Sequence, residues 1–223
     1  MAKSVTTTQR RPSSRSKRDA ILAASIELFG REGYETGKWS DVADAVGIGS
    51  TALYHYFESK VHCLYVIMAD ALQEHRDEFE ATTKGRTDFE MALDEALRGG
   101  FDLTEHEVFR MRVLVAEQGL VGVPRKSDRE EAARELARDR MRQLELSWAT
   151  FLVRGMENGT IAEADPTLLA RAILGLYTSV WHWYRPGGPV ALAEVTEFFV
   201  KRQRAMVGLP MESPTRAAAA AVG

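Results

Sequence analysis

A short stretch in the N-terminal third of the chain carries side chains that suit contacts with a polyanion. Small residues begin it, and aromatic, imidazole and ammonium groups follow: Gly49, Ser50, Thr51, Ala52, Tyr54, His55, Tyr56 and Lys60. Small residues let a backbone approach another molecule closely, and the methyl groups of Thr51 and Ala52 can contact thymine. The polar tips of Tyr54 and His55 and the ammonium of Lys60 suit phosphate oxygens. This pattern predicts contacts with the bases and phosphates of double-stranded DNA.

The residue types that catalysis or metal binding needs do not come together elsewhere in the sequence. The five histidines, at positions 55, 62, 75, 106 and 182, show no metal-ligand spacing. Cys63 is the single cysteine, which excludes an intramolecular disulfide and a CxxC pair. Residues 47–52 fit a loose dinucleotide-binding fingerprint, but a helical pattern precedes them where that motif needs a buried strand. We therefore expect no enzyme, no cofactor and no metal site.

Charge is unevenly distributed along the 223 residues. Lys and Arg total 29 against 32 Asp and Glu, which gives a formal net charge of −3. Residues 1–18 contain basic side chains and no acid and carry +6, so the rest of the chain carries −9. A basic N-terminus on an acidic body indicates a polyanionic partner at one end. No apolar run approaches the length of a membrane span and no signal peptide is present, so we expect a soluble, cytoplasmic protein.

Apolar residues recur at helical spacing along most of the chain and predict an all-α fold of about nine helices. The first helix begins at Ser16 and stops before Gly33. Two short helices follow at 41–46 and 50–57, separated by a tight turn at Gly47, and this order outlines a helix-turn-helix. The remaining helices are predicted at 60–82, 88–99, 105–121, 128–158, 166–184 and 190–207.

Residues 18–34, 41–48 and 52–60 resemble, in order and in spacing, the DNA-binding head of the TetR family of transcriptional regulators. The most specific part is the run Leu-Tyr-His-Tyr-Phe-Glu-Ser-Lys that ends the third segment. The resemblance implies that Tyr54 and Lys60 contact phosphates, and that earlier residues of the same helix approach bases in the major groove.

Three positions depart from the family pattern. Lys38 stands where the family usually has a Ser or Thr helix cap, Gly49 stands where Ser is common, and Ser40 stands where some members place a base-reading Arg. Thr36 is an alternative cap for the second helix. The predicted DNA-binding residues are Lys38, Ser40, Gly49, Ser50, Thr51, Ala52, Tyr54, His55, Tyr56 and Lys60.

Some positions in the head have a purely structural alternative. Ser50 caps its helix instead of contacting DNA, or does both, and Tyr56 either packs inward or contacts DNA. The basic arm either adds contacts along the DNA or is a solvated tail. The residues expected to pack rather than to touch DNA are Trp39, Leu53 and Phe57.

The last two predicted helices indicate a second copy of the chain. Residues 166–184 are apolar on nearly every face, and such a helix must be buried on every face. With 190–207 they resemble the two-helix unit that TetR family members pair across a twofold axis, which implies a homodimer and a palindromic operator. The predicted domains are a disordered basic arm at 1–15, a helix-turn-helix head at 16–62, a ligand-binding and dimerisation body at 63–208 and a disordered tail at 209–223.

The family resemblance also implies a small-molecule effector, held between the helices of the body. Residues 179–189 resemble a segment of TetR-type regulators of steroid-ring and fatty-acid catabolism that respond to acyl-CoA thioesters. Candidate ligand-binding residues are Phe109, Val113, Glu117, Trp148, Phe151, Leu152, Tyr177, Trp181 and Arg185. Glu117 either orients a ligand or pairs with an arginine, and Arg185 pairs with an anionic effector, caps its helix or bridges the dimer. Ordinary core packing explains the apolar candidates equally.

The leading hypothesis is a dimeric repressor that releases its operator when an effector binds. The effector is an acyl-CoA thioester or another large apolar molecule, and binding must differ between two arrangements of the heads. A second hypothesis is a helical small-molecule-binding protein that has lost DNA binding, which the departures at Lys38 and Gly49 motivate. An all-α enzyme is a third class, and it lacks a recognisable pair of nucleophile and base.

Overall fold

The computed structural model describes residues 14–212, which form nine α-helices, one 3₁₀ helix and no strand. The α-helices are α1 (Ser14–Glu32), α2 (Trp39–Val46), α3 (Ser50–Tyr56), α4 (Lys60–Thr83), α5 (Phe89–Gly99), α6 (Glu105–Ala116), α7 (Asp128–Glu157), α8 (Pro166–Trp183) and α9 (Leu192–Met206), and the 3₁₀ helix is Gln118–Gly122. The all-α prediction is confirmed. Among these described helices, none combines the length and apolar character that crossing a membrane requires.

The predicted arm and tail lie mostly outside the described residues, which exclude 1–13 and 213–223. Arg15 nevertheless belongs to α1, and Leu209 is buried in the core of the body. The described residues therefore include the end of the predicted arm and the beginning of the predicted tail, and both boundaries stay predictions.

α1, α2 and α3 pack around a small apolar core at the N-terminal end. Ile21 and Phe29 of α1, Val42 of α2 and Leu53 of α3 are all buried in it. Gly47 ends α2 with a φ of 67°, a left-handed conformation that favours glycine and turns the chain tightly toward α3. These three helices are called the head below, and the helices that follow are called the body.

α4 connects the head to the body without a break. Residues from Cys63 to Ala69 pack in the head core, whereas Ala71, Leu72 and Phe79 pack in a second core with α5, α7 and α8. The predicted boundary between positions 62 and 63 falls in the first turn of α4. α4 therefore contributes residues to both cores.

α6 was predicted to continue through the 3₁₀ helix, and this prediction was wrong. Glu117 leaves the helical conformation, with φ of −108° and ψ of 11°. Side chains then donate hydrogen bonds to backbone carbonyls of the 3₁₀ helix. The Tyr65 hydroxyl donates to the Leu120 carbonyl at 2.9 Å, and the Arg134 guanidinium donates to the Val121 carbonyl at 2.6 Å. These hydrogen bonds satisfy carbonyls that a tighter helix end leaves unpaired.

α2 begins at Trp39, directly after Lys38, whose side chain makes no capping hydrogen bond. The alternative in which Thr36 caps α2 is wrong, because its hydroxyl donates to the carbonyls of Glu32 and Gly33 at the end of α1. α2 therefore starts without a side-chain cap.

Candidate DNA-binding surface and effector cavity

α3 presents a polar face to solvent and buries its opposite face. The exposed residues on this helix are Ser50, Thr51, Tyr54 and His55. Tyr54 is 54% exposed, while Leu53 and Phe57 are fully buried in the head core as expected. Leu53 and Phe57 fix the rotation of α3 about its axis by packing in the head core, and the polar face is therefore held toward solvent.

The other predicted DNA-binding residues surround α3 with different degrees of burial. Lys38, Ser40 and Gly49 are exposed, whereas Ala52, Tyr56 and Lys60 are half-buried. Gly49 is the N-cap of α3 and no side chain caps this helix, so Ser50 does not act as a cap. Tyr56 packs against the head core. Trp39 also packs there, edge-on to Phe57 with ring centres 6.4 Å apart.

Lys60 faces the turn between α1 and α2 and not open solvent. Its ammonium donates a hydrogen bond to the carbonyl of Tyr34, and it lies 4.2 Å from the centre of the Tyr34 ring and 5.1 Å from that of Phe29. Burial lowers the pKa of Lys60, and the carboxylates of Glu35 and Glu117 oppose that shift. Lys60 thus connects α4 to the end of α1, and its contact with phosphate stays a prediction.

Glu117 lies at the boundary between head and body. Burial raises the pKa of its carboxyl, Glu35 raises it further, and Lys60 lowers it. The residue is not among those that line the cavities of the body. Its charged neighbours are Glu35, between α1 and α2, and Lys60, the first residue of α4, and both of its predicted roles stay predictions.

A cavity of about 200 Å³ opens between α4, α6, α7 and α8. Its apolar lining residues are Ala71, Leu72, Met111, Leu114, Met141, Leu144, Leu174 and Gly175. Arg171 and Glu145 also line it and form an ion pair with an N–O distance of 2.9 Å. The Tyr177 hydroxyl is already used, because it donates to the Gly100 carbonyl at 2.8 Å. A mostly apolar cavity with few polar groups is typical of a small-molecule site.

The structure brings two of the predicted ligand-binding residues toward this region. Tyr177 lines this cavity, and Trp148 borders two neighbouring cavities that share His75 with it. Phe109 and Val113 pack in the head core instead. The residues buried in the body core and absent from these cavity walls are Phe151, Leu152 and Trp181.

Arg185 lies just after the end of α8. Its guanidinium donates to the carbonyls of His182 and Tyr184, at 3.2 Å and 2.9 Å. Cations at this position satisfy the last carbonyls of a helix and interact favourably with its dipole. The geometry of the single chain therefore fits the capping alternative for Arg185.

His75 is a cavity residue that the sequence analysis missed. Its ring stacks on Tyr177 with centres 5.1 Å apart, and it borders the cavity between α4, α6, α7 and α8 and both neighbouring cavities. Burial lowers the pKa of His75 to about 4, and Arg110 adds to the shift, so the imidazole is neutral near pH 7. A neutral imidazole offers one donor and one acceptor to a ligand. The available signal was a polar residue at helical spacing from Leu72 and Phe79, on an otherwise apolar face.

A helix-turn-helix head on a helical body with an internal cavity defines the class of one-component, DNA-binding regulators. Two family models match this chain: "Bacterial regulatory proteins, tetR family" at residues 21–65 and "Tetracyclin repressor-like, C-terminal domain" at residues 110–207. The chain belongs to the TetR family of transcriptional regulators.

Individual relatives support this assignment along most of the chain. The HTH-type transcriptional repressor KstR2 of Mycobacterium tuberculosis is 27% identical over 191 residues, covering 83% of this chain and 90% of the relative. The TetR family regulator PfmR from Thermus thermophilus is 28% identical, with a TM-score of 0.67, 85% of this chain covered and 97% of PfmR. AibR, solved in complex with isovaleryl coenzyme A and operator DNA, shares the fold at 18% identity, with a TM-score of 0.69 over 87% of this chain and 98% of AibR.

Proposed function

We propose that this chain is a cytoplasmic transcriptional repressor that binds a palindromic operator as a homodimer and releases it when a small molecule binds. The observation that carries the proposal is the polar face of α3, held outward by the buried Leu53 and Phe57. The face has the length and the residue types that a major groove accepts. The name of the relative KstR2, a transcriptional repressor, supports the sign of regulation.

The departures at Lys38 and Gly49 do not favour the alternative in which DNA binding is lost. Both positions begin helices that form, since Lys38 precedes α2 and Gly49 precedes α3. The polar face of α3 remains exposed. The helix-turn-helix therefore forms despite both departures, and we take the regulator as the single candidate function.

The cavity between α4, α6, α7 and α8 is the proposed effector site. Its apolar lining favours an effector with an apolar part, and the ion pair of Arg171 with Glu145 supplies charge at the same wall. AibR has the same fold and was solved with isovaleryl coenzyme A. Acyl-CoA thioesters are therefore the first effectors to assay. The proposal places His75 and Tyr177 at the wall that contacts the apolar part.

Exposed apolar side chains on the last two helices support the homodimer. Leu168 and Trp183 of α8 are 62% and 49% exposed, and Phe198 of α9 is 54% exposed. The opposite side of α8 packs into the body through Ile173 and Val180. α8 was predicted to be buried on every face, and a partner chain against its exposed face would complete that burial.

A charge placed on the polar face of α3 tests the DNA-binding proposal. We predict that Thr51→Asp lowers operator affinity by about a hundredfold or more, because a carboxylate then faces phosphates. The head should stay folded, since Asp is favourable in the first turn of a helix. Binding is measured by fluorescence anisotropy over a series of salt concentrations, with an operator selected from random duplex DNA by the wild-type chain.

Thr150→Asp is the matched control, because Thr150 is an equally exposed helical threonine on α7, outside the head. It should leave the affinity unchanged. Selection of no sequence by the wild-type chain, or equal affinity of the two variants, would contradict the proposed DNA-binding surface. Affinity that does not fall as salt rises would also contradict it.

A further inference from the structure

Two serines and two glutamates join the junction after α3 to the beginning of α7 by a reciprocal pair of hydrogen bonds. Ser127 Oγ donates to Glu58 Oε2 at 2.6 Å, and Ser59 Oγ donates to the Glu130 carboxylate. Glu58 and Ser59 lie between the end of α3 and the first residue of α4, while Ser127 and Glu130 lie at the start of α7. These four residues are called the crossed clamp below.

Each serine of the crossed clamp has two roles at once. Ser59 is the N-cap of α4 and accepts from the backbone N–H of His62 at 3.1 Å. Ser127 is the N-cap of α7 and accepts from the backbone N–H of Glu130. The hydroxyl proton of each serine is then free to bind the carboxylate of the other segment. All four side chains are half-buried, and hydrogen bonds to a charged acceptor are the stronger kind.

A separate set of contacts anchors the start of α7 without the crossed clamp. Glu131 accepts from the backbone N–H of Arg125 at 2.8 Å and pairs with the buried guanidinium of Arg134. Arg134 also donates to the Val121 carbonyl at 2.6 Å. Since these bonds hold α7 on its own side, the crossed clamp adds a connection to the head and is not needed to form the helix.

We propose that the crossed clamp fixes the orientation of α3 relative to α7 and thereby sets the affinity of the head for DNA. The inference rests on the proposed function and adds its regulation. α7 runs from the clamp to the effector cavity, whose wall contains Met141 and Leu144, roughly 20–25 Å along the helix axis at 1.5 Å per residue. An effector that shifts α7 therefore acts on the junction that follows α3. When the clamp is open, the head samples more orientations, and ordering them on DNA costs binding free energy.

Ser127→Asp removes the hydrogen bond of the crossed clamp to Glu58 and keeps the side-chain cap of α7. An aspartate still caps α7, but it cannot donate a hydrogen bond and its carboxylate opposes that of Glu58. We expect operator affinity about tenfold weaker than wild type, and faster amide hydrogen exchange at residues 57–62. The double variant Ser127→Asp with Glu58→Gln lets the amide donate to the new carboxylate, so it should recover both the affinity and the exchange protection.

Ser147→Asp is the matched control. Ser147 of α7 donates to Glu80 of α4 at 2.8 Å, so this variant breaks the same type of serine–carboxylate bond to α7, away from the head. It should leave operator affinity and exchange at 57–62 at wild-type values. Wild-type behaviour or tighter binding of Ser127→Asp, an equal loss in Ser147→Asp, or no recovery in the double variant would each overturn the proposal.

Hydrogen exchange distinguishes failure of the clamp from failure of the proposed function. If the wild-type chain selects no operator, the proposed function fails, and exchange at 57–62 still decides whether the crossed clamp orders the junction. If an operator is found and exchange does not respond to Ser127→Asp, the clamp proposal fails alone.

Discussion

His75 occupies a position where a charge would be costly, between Tyr177 and the cavity walls. Its pKa is about 4 in the folded chain, against an ordinary value near 6.5 when the chain is unfolded. Between these two values the unfolded chain binds the proton and the folded chain does not. The contribution of His75 to stability is therefore fully present above pH 6.5 and is lost as the pH falls toward 4.

We predict that the titration of His75 lowers the unfolding free energy by roughly 2–3 kcal/mol as the pH falls from 7 to 4. His75→Phe keeps a ring against Tyr177 and removes the titration, so the difference between wild type and variant isolates His75 from the carboxyl groups that titrate in the same range. Urea unfolding at several pH values measures both proteins. Parallel pH profiles for the two would show that His75 is not the group responsible.

The role of a single residue could be predicted from the sequence where the role depends on exposure alone. It could not be predicted where the role depends on lining a cavity. The polar face of α3 could be found from the sequence because buried Leu53 and exposed Tyr54 alternate within one short helix. On α6, by contrast, Phe109 packs in the head core while Met111 lines the cavity. Both residues are apolar. Each step along a helix rotates the side chain by about 100°, so two residues that are two positions apart lie on different faces. Hydrophobicity indicates that a side chain is buried, and it does not say in which core.

At the scale of elements, the periodic pattern located all nine described α-helices, and the errors fall at helix ends. α6 was predicted too long because the tertiary bonds that stabilise the 3₁₀ helix come from Tyr65 and Arg134, which lie far away in sequence. α2 was predicted too short because Lys38 offers no capping signal before Trp39. Helix ends depend on partners of individual backbone groups, and periodicity carries no information about them.

The uncapped start of α2 leads to a prediction about stability. Lys38→Ser supplies a side-chain acceptor for the first free N–H groups and should raise the unfolding free energy by about 1 kcal/mol relative to Lys38→Ala. Both variants lose the same exposed ammonium, so their difference reports the cap. Urea denaturation of the two proteins measures it. A Ser variant no more stable than the Ala variant would show that water already satisfies these groups as well as a side chain does.

At the scale of the whole molecule, the predicted charge asymmetry has a structural counterpart in the last two residues of the basic segment 1–18. Lys17 of α1 donates to the Val46 carbonyl at the end of α2, at 3.2 Å, and the Arg18 guanidinium lies 5.2 Å from the centre of the Phe57 ring. Both cations are thereby placed at the head. A net charge of −3 for the chain says little about nucleic-acid binding, because it is the sum of +6 over residues 1–18 and −9 over the rest of the chain.

The exposed apolar surface of α8 and α9 is proposed to form the homodimer, and a change there should affect both assembly and DNA binding. Phe198→Glu places a carboxylate in the exposed apolar surface of α8 and α9, and should convert the dimer to single chains in sedimentation velocity. Operator affinity should then fall by roughly a hundredfold, because two linked heads no longer bind the two half-sites together. Leu146→Glu is the control, since Leu146 is 66% exposed on α7, outside these two helices. Sedimentation of the Phe198 variant as wild type would exclude this surface as the dimer interface, whereas single chains with undiminished affinity would exclude a need for two heads.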